Sequence, residues 1–330
     1  MKRRLIGLFF TTLLIATFAI CSLSCHKKTT EPDNFTIVEV SSIPVEFANQ
    51  VCKVGNLLYI ADTFDGFKIA NVAEPANPFE ISSTSLNGDV YGIVAQGDYA
   101  YVPVDGLQVF NCSDPTNPSQ INSYSNNNFA CYATISDNKL FLALNFFGIM
   151  IFDITDPNAT LYPDHLLGSF AVPGYVLTVK VSGDYAYVTE DTAEKGLRIY
   201  DISNLANPLP LGYFATTGSA TGIEIVGNYA YLCDYDNGVF IINISDPNNP
   251  YQVGHYQSTG KTCGLDVVGN LMYVAAGSAG LRVVDASIPS NPIEITHIET
   301  SDLALDVQVY GNFAYVSAKS AGVRIIQVAK

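Results

Sequence analysis

Five short segments of this chain carry carboxylates, aromatic rings or both between apolar stretches. They are Asp62-Thr63-Phe64-Asp65, Val104-Asp105, Asn145-Phe146-Phe147, residues 190–194 and Asp234-Tyr235-Asp236. Exposed aromatic rings mixed with carboxylates suit the recognition of proteins or glycans. Paired carboxylates are also the groups that general acid and base catalysis uses. Nine side chains are therefore candidate ligand contacts: Asp62, Phe64, Asp65, Asp105, Phe146, Phe147, Asp234, Tyr235 and Asp236.

The sequence lacks the signatures of a dedicated catalytic centre. It has four histidines and neither a His-x-x-x-His nor a Cys-x-x-Cys spacing, so zinc lacks its usual ligand pattern. No Gly-x-Ser-x-Gly nucleophile turn and no glycine-rich phosphate loop occurs. We therefore predict a non-enzymatic binding or adhesion scaffold without a cofactor or a catalytic residue. The alternatives are a hydrolase or lyase that uses the same carboxylates, and a purely structural module.

The chain is strongly acidic, with a formal net charge of −15. A surface of this charge repels phosphate backbones, so the sequence excludes nucleic acid as a partner. Acidic loops can hold a divalent cation through their oxygen atoms. Calcium is therefore the one ion that the sequence leaves open.

A repeat of about 42 residues organises most of the chain. Its marker is a tight turn, followed four residues later by an aromatic residue and nine to thirteen residues later by a glycine. Glycine is expected where a turn requires a positive φ. The turn occurs seven times, at Gly55, Gly97, Asp137, Gly183, Gly227, Gly269 and Gly311.

Each repeat reads as four short antiparallel strands. Period-two alternation, as in residues 196–202, is typical of a strand with one buried face. Asp-Pro and Asn-Pro pairs end the third strand, because proline fixes φ and lacks a donor. Seven such repeats predict an all-β, seven-bladed β-propeller over residues 35–330. A parallel β-helix is the weaker alternative, because it has shorter coils and fewer tight hairpins.

The two ends of the repeat array complement each other. The last repeat stops after its third strand, at residues 322–328, and therefore lacks a fourth strand. Residues 35–44 read as a fourth strand without a repeat of its own. We predict that this N-terminal strand completes the last blade and closes the ring, which removes two exposed sheet edges.

The candidate contacts are expected on one face of the propeller. In this fold the turns between the second and third strands share a face with the loops that enter the innermost strands. Blades six and seven contribute only small residues there, Ala-Gly-Ser-Ala and Ala-Lys-Ser-Ala. One side of this face is therefore acidic and aromatic. The entering loops add further candidates to that side: Asp89, Tyr91, Phe129, Tyr132 and Tyr175.

Five cysteines lie within the repeats: Cys52, Cys112, Cys131, Cys233 and Cys263. An odd number leaves at least one thiol unpaired. A disulfide between Cys233 and Cys263 of adjacent repeats and a set of buried free thiols are both compatible with the sequence.

The N-terminal residues predict export from the cytoplasm. Lys2, Arg3 and Arg4 precede an uncharged apolar run over residues 5–20, which indicates a signal peptide over residues 1–24. Residues 22–25, Ser-Leu-Ser-Cys, resemble the bacterial lipobox. We predict lipidation at Cys25 and a polar tether over residues 25–34, so that the lipid anchor is the contact with the membrane. An uncleaved membrane helix and plain secretion are the alternatives.

Third strands such as GIMIFDIT (148–155), GLRIYDIS (196–203), GVFIINIS (238–245) and GLRVVDAS (280–287) each precede a proline-containing turn. This pattern resembles the LVIVD-repeat β-propeller proteins of bacterial and archaeal cell surfaces, over about residues 36–330. The resemblance implies a propeller fold and a location in the cell envelope, either periplasmic or surface-exposed. It transfers no catalytic residue. A protein or a glycan of the envelope is then the expected partner.

Overall fold

The computed structural model describes residues 35–125, 129–191 and 195–329. Within these ranges the chain forms 28 β-strands and one short 3-10 helix, Asn145–Phe147. The first fourteen strands are β1 (Thr36–Ile43), β2 (Ala48–Val54), β3 (Leu57–Asp62), β4 (Gly66–Asn71), β5 (Phe79–Thr84), β6 (Val94–Gln96), β7 (Tyr99–Val102), β8 (Leu107–Asn111), β9 (Ser119–Tyr124), β10 (Tyr132–Ser136), β11 (Lys139–Ala143), β12 (Ile149–Asp153), β13 (Leu166–Phe170) and β14 (Val176–Ser182). The others are β15 (Tyr185–Glu190), β16 (Gly196–Asp201), β17 (Leu209–Ala215), β18 (Ala220–Val226), β19 (Tyr229–Asp234), β20 (Gly238–Asn243), β21 (Tyr251–Tyr256), β22 (Gly264–Val268), β23 (Leu271–Ala275), β24 (Leu281–Asp285), β25 (Ile293–Ile298), β26 (Asp306–Tyr310), β27 (Phe313–Ser317) and β28 (Val323–Ala329).

The strands form seven antiparallel sheets of four strands each, which are the blades. Blades one to six contain β2–β5, β6–β9, β10–β13, β14–β17, β18–β21 and β22–β25, each in sequential order. Blade seven has the order β26-β27-β28-β1. The predicted seven-bladed, all-β propeller is therefore confirmed.

The N-terminal strand β1 closes the ring as predicted. It pairs with β28 from Thr36 opposite Ala329 to Ile43 opposite Val323. The Arg324 guanidinium adds an ion pair to Glu39 across the same two strands. Closure removes the free edges that an open array of blades would expose.

The two recurring turn positions of the repeat favour glycine for different reasons, as blade five illustrates. Gly227 adopts a φ of 57°, and a Cβ there would meet nothing within 4 Å. Its requirement is therefore conformational alone. At Gly238 the φ is 81°, and a Cβ would also lie 2.1 Å from the carbonyl oxygen of Tyr256. The second position thus requires glycine because the backbone at the end of the fourth strand lies directly against it.

The hydrophobic core lies between the blades. Each described core cluster combines residues of two adjacent blades, and together the clusters cover all seven junctions. At the closing junction Ile43 and Val51 pack with Tyr315 and Ile325. The aromatic residue after each turn supplies bulk to this packing, and Tyr59, Tyr101 and Tyr315 are 1% exposed. Because each blade buries its faces against its neighbours, the ring stabilises the blades together.

The predicted signal peptide (1–24), the lipidated Cys25 and the tether (25–34) lie outside the described residues. Within the part of the chain that the structure describes, no helix has the length and apolar character to cross a bilayer. Cys52, Cys112, Cys131, Cys233 and Cys263 are all free. The disulfide between Cys233 and Cys263 that the sequence left open is therefore not formed.

Candidate functional site

The loops of one face of the propeller are joined by backbone hydrogen bonds. We call this the rim face: it consists of the turns between second and third strands and the loops that enter the innermost strands. In blade one, Thr63 N donates to Phe47 O at 3.0 Å, and Val90 N of the next entering loop donates to Thr63 O at 3.0 Å. In blade five Tyr235 N donates in the same way to Ser219 O at 3.0 Å. The two kinds of loop therefore lie together, as the sequence predicted.

Exposed phenylalanines are concentrated on the rim face of the first blades. The side chains of Phe64, Phe146 and Phe147 are 61%, 66% and 60% exposed. Large apolar side chains that are this exposed, several on one face, are characteristic of interaction surfaces. We define the aromatic arc as the rim-face rings of blades one to four: Phe47, Phe64, Tyr91, Phe129, Phe146, Phe147 and Tyr175.

Neighbouring rings of the aromatic arc support one another. Phe64 packs edge-on against Phe47 with a centroid distance of 5.1 Å. Phe146 packs in the same manner against Tyr175 of blade four at 4.9 Å. Tyr91 and Phe129 lie 5.4 Å apart. Such pairs hold the rings in defined orientations, so the arc is a preformed surface.

The 3-10 turn of blade three is anchored from below by Asn145. This side chain is buried, and its Oδ1 accepts a hydrogen bond from the Cys131 Sγ at 2.9 Å. Leu144 N donates to Gly148 O at 2.9 Å and closes the loop. With Asn145 turned inward, the next two residues, Phe146 and Phe147, are left on the outside.

Two of the nine candidate contacts, Asp62 and Asp234, have no exposed surface. The Asp62 carboxylate accepts from Phe47 N at 3.0 Å and from Glu46 N at 3.3 Å. The Asp234 carboxylate accepts from Gly218 N at 3.1 Å. Both acids therefore hold the loop that enters their own blade, and the geometry gives them a positioning role behind the surface.

The other polar candidates are more accessible. Asp65 accepts from the Ser85 hydroxyl at 2.8 Å, and Asp105 is exposed in a turn with a φ of 48°. Tyr235 and Asp236 share one lysine: the Lys261 Nζ lies 4.4 Å from the Tyr235 ring centroid and 3.6 Å from Asp236 Oδ1. The structure therefore groups Phe64 with Asp65 and Phe146 with Phe147, whereas Tyr235 and Asp236 form a separate cluster on blade five.

A polar cavity on the propeller axis is a feature that the sequence analysis missed. It has a volume of about 260 Å³ and is lined mainly by the innermost strands. Its charged lining residues are Lys180, Glu224, Asp266 and Asp306. The sequence did contain a signal for this cavity. Lys180, Glu224 and Asp266 each lie three residues before their turn, in strands where polar and apolar residues alternate.

The four axial charges interact with one another. The Lys180 Nζ lies 2.7 Å from Glu224 Oε2. Burial disfavours the charge of Lys180, but the Glu224 carboxylate, with Asp306 and Asp266, raises its pKa overall. Burial raises the pKa of Asp306 to about 7, against the opposing effect of the Lys180 charge and of backbone hydrogen bonds, and the Asp266 charge adds to the increase. Burial also raises the pKa of Asp266.

The described side chains do not support metal ligation. Within residues 35–125, 129–191 and 195–329, no group of three or more His, Cys, Asp or Glu side chains is arranged to hold an ion. The calcium site that the sequence left open stays a prediction.

Comparison with known proteins bears on the repeat and on the fold. The family model described as the LVIVD repeat matches residues 48–85, 87–126, 173–216, 217–258, 259–300 and 303–328. The strands of blade three, within residues 127–172, lie between two matched segments. No curated protein matches the sequence.

Two solved structures illustrate the likeness in fold. The computationally designed Ika8 protein is 11% identical, with a TM-score of 0.65 over 85% of this chain and 83% of that chain. A chain in the crystal structure of the mitotic checkpoint complex is 10% identical, with a TM-score of 0.71 over 100% of both chains. At such identities the similarity concerns the fold alone.

Proposed function

Since the chain belongs to the LVIVD-repeat family, we propose that it is a non-enzymatic binding scaffold of the bacterial cell envelope, whose rim face recognises a protein or a glycan. The aromatic arc is the observation that carries this proposal. It presents preformed, exposed rings on loops that a rigid scaffold positions, which is where binding residues are commonly found.

Blade three adds weight to this assignment. Its strands are the stretch that the family model passes over, and its rim loop carries two of the three most exposed phenylalanines of the arc, Phe146 and Phe147. The corresponding loop positions of blade six are Ser278 and Ala279. A departure from the repeat that exposes two large apolar side chains has no benefit for folding, so a partner that covers them is the simplest explanation.

The rim carboxylates favour binding over acid–base catalysis. Asp62 and Asp234, two of the acids that a hydrolase or lyase would use, are buried and accept hydrogen bonds from backbone amides. Acid–base catalysis requires a carboxyl group within reach of a substrate proton. Asp65, Asp105 and Asp236 are better placed to contact a partner, as polar groups beside the aromatic rings.

The location of the chain entry fits an anchored scaffold. Strand β1 starts at Thr36, opposite Ala329, and ends at Ile43, opposite Val323 just after the rim turn of blade seven. The chain therefore enters the propeller on the face opposite the rim face. The aromatic arc therefore lies on the face away from the point of chain entry, where a partner can reach it.

The proposal is tested by removing the two phenylalanines of blade three. We expect the double variant Phe146→Ser, Phe147→Ala to keep its melting temperature, because blade six carries Ser and Ala in a loop of the same form. Binding to a glycan array and to envelope extract should fall about tenfold or more, as for central interface residues. If protease treatment of the extract abolishes binding of the wild-type chain, the partner is a protein; if binding survives the treatment, the partner is a glycan.

A matched control distinguishes the rim face from general stickiness. Phe79 and Leu209 are 57% and 52% exposed at the start of outermost strands, on the opposite face. The double variant Phe79→Ser, Leu209→Ala removes similar apolar surface and should leave binding unchanged. Equal loss in both double variants, or no loss in the variant of blade three, would contradict a binding role for the aromatic arc.

A further inference from the structure

The axial cavity is a second candidate site, separate from the aromatic arc. The innermost strands of blades one and three to seven contribute to its lining, which includes Tyr132, Thr178, Thr221 and Gln308. Part of the charged lining is accessible to solvent, since the Lys180 and Glu224 side chains keep 36% and 23% of their surface exposed. The cavity is thus a polar chamber that a small solute can enter, with room for about eight water molecules at liquid density.

In the part of the chain that the structure describes, two of the three axial carboxylates, Asp266 and Asp306, form no ion pair, and the Lys180 charge acts on them only at longer range. Lys180 pairs with Glu224 at 2.7 Å. Asp266 Oδ2 accepts from Val309 N at 2.7 Å, and Asp306 Oδ2 accepts from Val51 N at 3.5 Å, so each acid bonds a backbone amide of the next blade. No ion pair to Asp266 or Asp306 is formed within the described residues.

The hydrogen bonds between blades do not by themselves explain these two charges. Gln50 forms the same kind of bond in blade one, where its Oε1 accepts from Ile93 N of blade two at 2.8 Å. A neutral amide oxygen is therefore sufficient to join adjacent innermost strands. A carboxylate that accepts the same hydrogen bond also carries a poorly solvated charge. That charge costs free energy, and a neutral amide avoids the cost. Two such charges side by side also repel each other.

From this arrangement we infer that the axial cavity binds a small organic cation, a primary ammonium group on a short aliphatic chain, with Asp266 and Asp306 as its counter-ions. The Lys180 ammonium already occupies the equivalent position beside Glu224. A second ammonium would neutralise the remaining pair, and Gln308, Thr178 and Tyr132 supply polar atoms around it. The cavity matches a group of this size better than a folded partner.

An ammonium fits this lining better than a metal ion. Divalent cations require several oxygen ligands at fixed short distances. In the part of the chain that the structure describes, no set of acidic, histidine or cysteine side chains meets that requirement. An ammonium instead donates up to three hydrogen bonds and tolerates a mixture of carboxylate, hydroxyl and amide acceptors. The same group can belong to a free amine or to a lysine side chain of a docked peptide.

The test measures binding of n-butylammonium and of N-acetyl-lysine methylamide to the full-length chain by calorimetry, in an amine-free buffer. Butan-1-ol and potassium chloride are the matched neutral and inorganic probes. We expect saturable binding of at least one ammonium probe, with chemical-shift changes at the amides of Val51 and Val309, and none for butan-1-ol. Tighter binding of the lysine derivative would identify a peptide side chain as the source, and tighter binding of butylammonium a free amine.

Asp266→Asn and Asp306→Asn test the counter-ions without removing the hydrogen bonds between blades. Each should lower the affinity for the ammonium probe about tenfold or more, whereas Asp184→Asn, in an exposed turn, should not. A melting temperature at or above that of the wild type in both variants would show that unfolding is not the cause of the lost affinity. Absence of ammonium binding at millimolar concentration, equal binding of potassium, or unchanged affinity in both axial variants would overturn the proposal. None of these outcomes depends on the rim face.

The pH dependence supplies an independent readout. The other titratable groups that interact with Asp306 are Lys180, Asp266, Cys52, Cys233, Cys263, Tyr132 and Tyr310, and Glu224 acts on it through Lys180 and Asp266. Burial raises the pKa of the Cys52 and Cys263 thiols to about 11, so these two do not titrate near neutrality. A proton on Asp306 competes with the ammonium, and the affinity should therefore fall by up to about tenfold from pH 8 to pH 6. A flat profile would contradict a role for Asp306.

Discussion

The two halves of the ring present different chemistry on one scaffold. Blades one to four carry the aromatic arc, and the axial positions of the first three blades are neutral, with Gln50 and Tyr132 as examples. Blades four to seven supply the charged axial residues, and the rim loops of blades six and seven hold small side chains. The acidic, aromatic rim and the charged axis are therefore offset around the ring. The two surfaces can therefore be altered independently by substitution.

The loops themselves show how little backbone change this difference needs. In blade three Leu144 N donates to Gly148 O at 2.9 Å, and in blade six Ala276 N donates to Gly280 O at 2.8 Å. The residue after each donor has a positive φ, 39° at Asn145 and 53° at Gly277. The same closed loop thus exposes two phenylalanines in one blade and Ser-Ala in the other. Backbone geometry fixes the scaffold, and the side chains at the loop tip are free to serve function.

If both halves depend on one closed ring, removing the closing strand should destabilise them together. Deletion of residues 35–44 takes away β1, including Ile43, which is 1% exposed in the core between blades seven and one. We expect the free energy of unfolding to fall by about 5 kcal/mol, from the buried Ile43 and the half-buried Phe35, Ile37 and Val40, at about 1.5–3 kcal/mol for the full burial of one such side chain. Urea unfolding followed by circular dichroism measures the change.

A point variant on the same strand controls for the deletion. Val38 is 57% exposed, so Val38→Ser should leave the free energy of unfolding within about 0.5 kcal/mol of the wild type. A deletion that unfolds at the wild-type urea concentration, or in two separate transitions, would show that the halves do not share one cooperative ring.

The similarity of the rim loops predicts equal penalties in the two halves. A Cβ at Gly148 would lie 2.1 Å from Phe170 O, and one at Gly280 would lie 2.2 Å from Ile298 O. Gly148→Ala and Gly280→Ala should therefore each lower the free energy of unfolding by about 3 kcal/mol, through overpacking and a strained φ. Thermal unfolding of the two variants, compared side by side, provides the measurement.

The matched control is Gly269→Ala, in the first turn of blade six. Its φ is 61° and the space around it is open, so only the conformational cost of about 1 kcal/mol applies. A large difference between the Gly148 and Gly280 variants would mean that the aromatic loop of blade three is built differently from its counterpart.

The sequence predicted the scaffold well because the residues that determine its turns and strands recur in each of the seven repeats. Turn residues such as Gly227, the second glycine and the period-two strands were all readable, and so was the closing strand. The candidate site was only partly predictable. Phe64, Phe146 and Phe147 are exposed as expected, but the sequence could not distinguish surface acids from Asp62 and Asp234, which bind backbone amides of a loop that approaches only in the fold.

The axis was missed for a related reason. Asp266 and Asp306 look like ordinary polar residues of half-exposed strands, and their meeting depends on the curvature of the ring. Asp306 also lies five residues before its turn, whereas Asp266 lies three before its own, so an alignment of the repeats does not superpose them. Only the closed ring brings these side chains, with Lys180 and Glu224, to one cavity.

The smallest predicted effect is a pH dependence of the free energy of unfolding, which arises from Asp306 in the charged half of the ring. Burial raises the pKa of Asp306 to about 7, whereas an aspartate in an unfolded chain titrates near about 4. The folded state therefore binds this proton more tightly, and its stability falls as the pH rises from about 4 through 7. Between pH 5 and pH 8 the wild-type free energy of unfolding should drop by at most about 2.5 kcal/mol more than that of Asp306→Asn.

Urea unfolding in phosphate buffer, which contains no amine to occupy the cavity, measures both profiles. Asp184→Asn should follow the wild type, and parallel profiles for Asp306→Asn and the wild type would mean that the axial carboxylate is already neutralised by its neighbours.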